Sequence, residues 1–252
     1  MPCGPVNMLS RIENLWRLST VTFQKSPNGV YAFNDESFAS LKNEMDRVTA
    51  ADVCLEESLS ERRHALETKT GANRGGYRAN APVTFIDLYS GPSFSICIFV
   101  LHKGSVMPIH DHPSMHGILK VLTGEVKLDS YTVINQEPCQ NHGTSLIAEK
   151  TSTIVRASDP ACVLTPKEKN LHALSPVSGS AAFMDILSPP YCSRFSNVQP
   201  NPCNFYKEAS HAYSEGNDGS KVLVRLVRTQ LPKDYWCDTA VYKGPVLSDL
   251  KF

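Results

Sequence analysis

The chain has 252 residues, with 25 Lys plus Arg balanced by 25 Asp plus Glu and 41% hydrophobic residues. That balance excludes the basic footprint of a nucleic-acid or anionic-membrane binder. No apolar run approaches the roughly 20 residues needed to span a bilayer, and the length suits one large domain or a domain with an extension.

The opening segment MPCGPVNMLSRIENLWRLST lacks the continuous apolar stretch of a signal peptide, and Glu13 interrupts any transit-peptide pattern. A cytoplasmic protein is expected, with a nuclear or mitochondrial one compatible. Met8, Ile12, Leu15 and Trp16 fit one helical face. Phe38, Leu41, Met45 and Val48 fit a second, opened by a cap at Asn34 or Asp35. TAADVCL reads as a short further turn, and SERRHALETKTGANRGGYRANAP as a long exposed connection.

From Pro82 the texture changes. VTFIDLYS, FSICIFVLHKG, GILKVLTG, EVKLDSYTV, STIVRA, CVLTP, AAFMDIL and KVLVRLVRT are short and rich in β-branched or aromatic residues. Gly, Pro and Asn punctuate them, and INQEPCQNHGTS reads as a surface loop. Many short, closely spaced strands predict a mainly β fold, a sandwich or small barrel. The expected organisation is a helical N-terminal extension and linker over 1–81, then a double-stranded β-barrel with a C-terminal segment over 82–252.

Eight cysteines are scattered along the chain and none forms a CxxC pair. They read as reduced thiols, so a metal here is expected to use histidine. Three histidines fall close together in GSVMPIHDHPSMHGILKVLTG: His110, His112 and His116. With a side-chain period of two, His110 and His112 share one strand face and Asp111 points the other way. The bland reading is a pair of solvated or hydrogen-bonded strand-end histidines. Two candidates remain for a third ligand. Pro113 breaks the strand before His116, whereas His172, between CVLTP and AAFMDIL, lies on an expected facing strand. A facing strand closes a coordination triangle better than a turn does.

The spacing Gly104, His110, His112, Gly124 resembles the first motif of the cupins, jelly-roll barrels. Many cupins place a Glu four or five positions after the second His, and here those positions hold His116 and Gly117. PIHDHPSMHGILKVLTGEV, LTPKEKNLHAL, AAFMDILSPPY and DYWCDTAVYKGP resemble the cysteamine (2-aminoethanethiol) dioxygenase family, which includes the plant cysteine oxidases. The similarity runs from about Pro82 to Pro245. It implies a mononuclear non-haem iron(II) centre, Fe2+, held by His110, His112 and His172. It also implies a thiol substrate, cysteamine or the N-terminal cysteine of a protein, oxidised by O2 to a sulfinate, and with it a possible oxygen-sensing step in protein turnover.

Asp185 in AAFMDIL shares a strand face with Phe183 and Leu187, so its carboxylate is expected to be buried and in need of a partner. The resemblance makes it an active-site acid that binds the substrate ammonium or orients a ligand imidazole. It places Tyr191 at the pocket mouth, its hydroxyl near oxygen or substrate. Phe85 and Tyr89 are weighed as pocket lining against plain core, and His64, His102, His142 and His211 read as surface. Arg156 and Arg225 are expected to face solvent. Two departures from the family stand out. Ser114 replaces a usual Gly, and Cys203-Asn204-Phe205 lacks the phenol needed for the Cys–Tyr thioether of some thiol dioxygenases. Alternatives are a three-histidine zinc hydrolase or lyase and a non-catalytic cupin. A monomer without nucleic-acid or membrane partners is expected.

Overall fold

The computed structural model describes residues 9–25, 31–70, 81–139, 143–191, 202–213 and 222–247. Helix α1 (Arg11–Thr22) starts at Ser10, whose side chain accepts from the Glu13 amide while Glu13 reaches back to the Ser10 amide. This reciprocal pairing satisfies two otherwise unpartnered donors. A short hairpin follows, β1 (Phe23–Lys25) with β2 (Tyr31–Phe33), and then α2 (Asp35–Met45), capped by Asn34 at 2.9 Å from the Ser37 amide. The expected apolar faces are present: Ile12, Leu15, Leu41 and Met45 are fully buried, while Met8 lies outside the described residues.

Helix α3 (Leu55–Thr70) corrects the expectation of a long exposed connection from Ser60 onward. It has no pronounced apolar stripe. Its residues are strong helix formers, and Glu56 and Glu57 stand in the first turn, where carboxylates complement the helix dipole.

The remaining chain is β: β3 (Val83–Ser90), β4 (Ser95–Leu101), β5 (Met107–Asp111), β6 (His116–Thr123), β7 (Glu125–Cys139), β8 (Gly143–Arg156), β9 (Cys162–Leu164), β10 (Leu171–Pro176), β11 (Ala181–Ser188), β12 (Phe205–Tyr213), β13 (Val222–Thr229) and β14 (Cys237–Thr239). INQEPCQNHGTS is mostly not a loop, because the β7–β8 ladder continues to Cys139 opposite Gly143, past a register shift between Val133 and Asn135. A long two-stranded ribbon tolerates the polar residues that suggested a loop.

The strands form two layers. One is a closed barrel in the order β10-β5-β12-β13-β8-β7, and the other a six-stranded sheet in the order β14-β3-β4-β11-β6-β9. This is the mainly β, cupin-type arrangement expected, with a helical N-terminal part. Alternation along the six-stranded sheet builds two cores. Ile86, Ile98, Ile118, Met184 and Ile186 face α1 and α2 and share a cluster with Leu15 and Leu41. Val83, Leu101, Leu119, Val121 and Phe183 face the barrel and pack on Met107, Val126 and Leu174. Every residue of β11 is therefore buried. A third cluster, around Tyr131, Leu171, Val224 and Leu226, lies on the other side of the barrel strands.

Candidate metal centre

His110 is the fourth residue of β5, and His112 follows that strand by one residue. Hydrogen bonds from the Asp111 amide to the Asn204 carbonyl and from the His112 amide to the Asn170 carbonyl, both 3.1 Å, keep this stretch extended. β10 runs antiparallel to β5 with His172 opposite His110. The three rings converge, with centroids 4.8, 4.6 and 4.4 Å apart. One nitrogen from each lies within 4.8 Å of the others. His116 is elsewhere: it stacks on Phe33 at 3.9 Å and packs edgewise on Phe38.

The backbone sets the tautomers. Nδ1 of His110 is 2.9 Å from the Pro108 carbonyl, and Nδ1 of His112 is 2.9 Å from the Asn170 carbonyl. A carbonyl only accepts, so each Nδ1 carries the proton and each Nε2 keeps a lone pair. Asn170 is held in turn by its amide nitrogen, which donates to the His112 and Thr165 carbonyls, each at 2.8 Å. The Nε2 atom of His172 is buried with no hydrogen-bond partner. Burial lowers the pKa of all three imidazoles, that of His112 to about 3. Three buried, neutral nitrogen donors, one of them orphaned, fit a divalent transition metal. The cluster is a metal-binding site.

His110 and His112 line a chamber of about 540 Å³ together with Asp185, Tyr191, Phe85 and Met107. Asp185 is 3% exposed and its Oδ1 has no hydrogen-bond partner. Burial alone pushes its pKa up to about 8. The imidazole-orienting role considered for it belongs, for His110 and His112, to the backbone carbonyls. Asp111 faces away from the cluster and accepts from the Asn204 amide at 2.8 Å and the Tyr206 hydroxyl at 2.9 Å.

Tyr191 stands in the chamber wall with its ring centroid 5.7 Å from that of His112. Its hydroxyl donates to the Asp111 carbonyl at 2.5 Å and is also hydrogen-bonded to the Cys203 thiol. Burial first, then the Cys203 contact, pushes the phenol well above its usual range. Cys203 is a free thiol, and Phe205 offers its ring to His110 at 6.4 Å without a phenol. Ser114 sits at φ 58 in the turn closed by the Met115 amide on the His112 carbonyl.

Several other expectations are corrected. Phe85 lines the chamber, but Tyr89 packs on Trp16 and Phe94 on the helical side of its sheet. His102 is half-buried and hydrogen-bonded to Thr84 at 2.9 Å, because β4 brings it beside β3. The side chains of His64 and His211, and the whole of His142, lie outside the described residues. Arg156 is exposed and paired with Glu125, as expected, whereas Arg225 is half-buried and bonded to Glu137 and Ser145. Asp87, Cys97 and Asn170 escaped the sequence reading. Asp87 breaks the apolar face of Val83 and Phe85, and that interruption was its available signal.

The PCO_ADO family model matches residues 45–247. The chain belongs to the PCO_ADO family. This PCO_ADO protein is 31% identical to the 2-aminoethanethiol dioxygenase of Mus musculus over 95% of its own length and 97% of that protein. The corresponding Homo sapiens protein is 28% identical, again over 95% of this chain and 97% of that one. Plant cysteine oxidase 1 of Arabidopsis thaliana is 26% identical over 81% of this chain and 66% of that protein. A Klebsiella pneumoniae protein with a double-stranded β-helix domain overlaps 45% of this chain and 82% of its own, at 14% identity and a TM-score of 0.32.

Proposed function

We propose that the chain is an iron(II) thiol dioxygenase that converts cysteamine, protein N-terminal cysteine, or both, to the sulfinate. The observation that carries this reading is the convergence of three neutral imidazoles, two of which, His110 and His112, line a chamber with a buried carboxylate and no lysine or arginine among its described walls, while His172 opens on the neighbouring cavity of Lys42 and Lys169. His110, His112 and His172 would hold the metal. Iron(II) bound there supplies the redox chemistry by which dioxygen is added to sulfur. The balance is R–SH plus O2 to R–SO2H: both oxygen atoms end on sulfur, and the thiol supplies all four electrons.

The protein's own groups account for substrate choice. Neutral ligands leave the full dipositive charge of the metal uncancelled, which favours a thiolate over a thiol. Asp185 offers its unpartnered oxygen to the substrate ammonium, and that cation draws the carboxyl to its ionised form. Tyr191 closes the wall beside His112, with its proton held on the Asp111 carbonyl. An α-carboxylate meets no cation among the described walls.

We place the enzyme in the cytoplasm as a monomer. The described Cys54, Cys97, Cys162, Cys203 and Cys237 are free thiols, as a reducing compartment keeps them. No helix among the described residues is long and apolar enough to cross a membrane. An oxygen-sensing role in protein turnover rests on the same reading.

The test is mass spectrometry of cysteamine and of a Cys-initiated peptide after aerobic incubation with the iron-loaded protein. A gain of two oxygen atoms on either is the expected result. Unchanged thiols with full iron occupancy would refute the reading and return the site to hydrolytic or non-catalytic use.

A further inference from the structure

The register of the six-stranded sheet places a second carboxylate in the chamber. Cys97 on β4 is paired with Asp87 on β3 and with Asp185 on β11. Directly paired residues on adjacent strands point to the same face, so Asp87, Cys97 and Asp185 form a row across the chamber wall. All three line the cavity. Burial, then the fields of Asp185 and Asp87, hold the Cys97 thiol well above its ordinary range.

The two acids differ in setting. Asp185 is at the buried end of the row, 3% exposed, while Asp87 is exposed at the open end. The Asp87 side chain accepts from the Ser90 hydroxyl, at 2.9 and 3.0 Å from its two oxygens. With no lysine or arginine among the lining residues, neither carboxylate has a cation inside the chamber.

Two strand spacings separate the acids by roughly 10 Å. Cysteamine has four non-hydrogen atoms and needs roughly 100 Å³ at about 30 Å³ each, the share of a water molecule in its liquid. The chamber, at about 540 Å³, has room for the residue that follows a terminal cysteine. Successive Cα atoms lie about 3.8 Å apart, and a lysine ammonium reaches roughly 6 Å beyond its own Cα. A cation on the second residue therefore spans about the distance between the acids.

We propose that Asp87 is a specificity-determining residue that selects Cys-initiated protein N-termini with Lys or Arg in the second position. Asp185 takes the α-ammonium, and Asp87 takes the side-chain cation at the chamber mouth. This inference rests on the reading of the site as a thiol dioxygenase.

Three peptides identical except for Lys, Ala or Glu after the terminal Cys test it, with sulfinate formation measured on the iron-loaded protein. In the wild type, kcat/KM for the Lys peptide should exceed that for the Ala peptide about fivefold, with the Glu peptide lower still, as for one partly exposed ion pair. The Lys preference should shrink as salt rises toward 1 M, where the screening length falls to about 3 Å. In Asp87→Asn the Lys-to-Ala ratio should fall to about one. The ratio within each protein is the readout, so a general loss of activity does not mimic the result. Asp87→Lys should reverse the order and favour the Glu peptide. Equal rates on the three peptides in the wild type, or a Lys preference that survives in Asp87→Asn, would overturn this inference alone. Failure to oxidise any peptide or cysteamine would overturn the dioxygenase reading and this inference with it.

Discussion

Asp185→Asn removes a charge and keeps the shape of a side chain that burial holds far from its ordinary state. Raising its pKa from 3.8 to about 8 corresponds to on the order of 6 kcal/mol, at about 1.36 kcal/mol per decade. Below pH 3.8 the acid is protonated in the folded and unfolded chains alike, and it does not affect stability. As pH rises, the unfolded chain sheds the proton first, so the metal-free wild type loses stability until the folded acid ionises near pH 8. Asparagine carries no such dependence. The buried histidines contribute their own pH dependence, but it is common to both proteins and cancels in the difference. Urea unfolding of both metal-free proteins at pH 5 and pH 8 should show the variant gaining about 4 kcal/mol on the wild type across that interval. In the iron-loaded enzyme the same change should retain metal and lower kcat/KM on cysteamine by about 10- to 150-fold, the range for losing a hydrogen bond to a charged group. A stability difference constant with pH would show that the carboxylate ionises as it does in water. Unchanged turnover would return Asp185 to a purely structural role.

His110→Ala, His112→Ala and His172→Ala should each lose the metal by elemental analysis, since a three-ligand site cannot spare one, while His116→Ala should retain it and lose only its stack on Phe33. Because burial lowers all three imidazoles below their ordinary 6.5, cobalt(II) affinity should stay flat from pH 8 to about pH 6, and a tenfold fall there would contradict the buried geometry. Free cysteine should be oxidised at least about tenfold more slowly than cysteamine at equal thiol, for want of a cation to hold its carboxylate; matched initial rates would mean that such a cation exists outside the described walls. Ser114→Gly should raise stability by about 1 kcal/mol in thermal or urea unfolding, because the serine is held at φ 58, where glycine is at ease.

The histidine pair was legible because a strand's period of two needs only local sequence. His172 was reachable as a facing-strand candidate, but its place opposite His110 is a matter of register between strands far apart in the chain. The first two helices announced themselves by apolar spacing and by Ser10 and Asn34 as caps. Helix α3 did not, since it has no apolar stripe to reveal its period. The carbonyls of Pro108 and Asn170 that fix the imidazole tautomers were invisible for another reason: every residue offers a backbone carbonyl, and only the folded chain selects which one. Asp87 was hidden because its partnership with Asp185 passes through Cys97, across two independent strand pairings.

Strand β11 has no free side, and this ties the chamber to the helices behind it. Met184 and Ile186 flank Asp185 in sequence and pack into the cluster that includes Leu15 and Leu41. Interiors packed at crystal-like density transmit a misfit of even one methylene. A change of side-chain volume under α1 or α2 therefore presses on the peptide units on either side of the acid. A larger residue on the sheet should be tolerated best when a smaller one on the helix answers it. Helices grafted from a distant relative would arrive shaped for another surface.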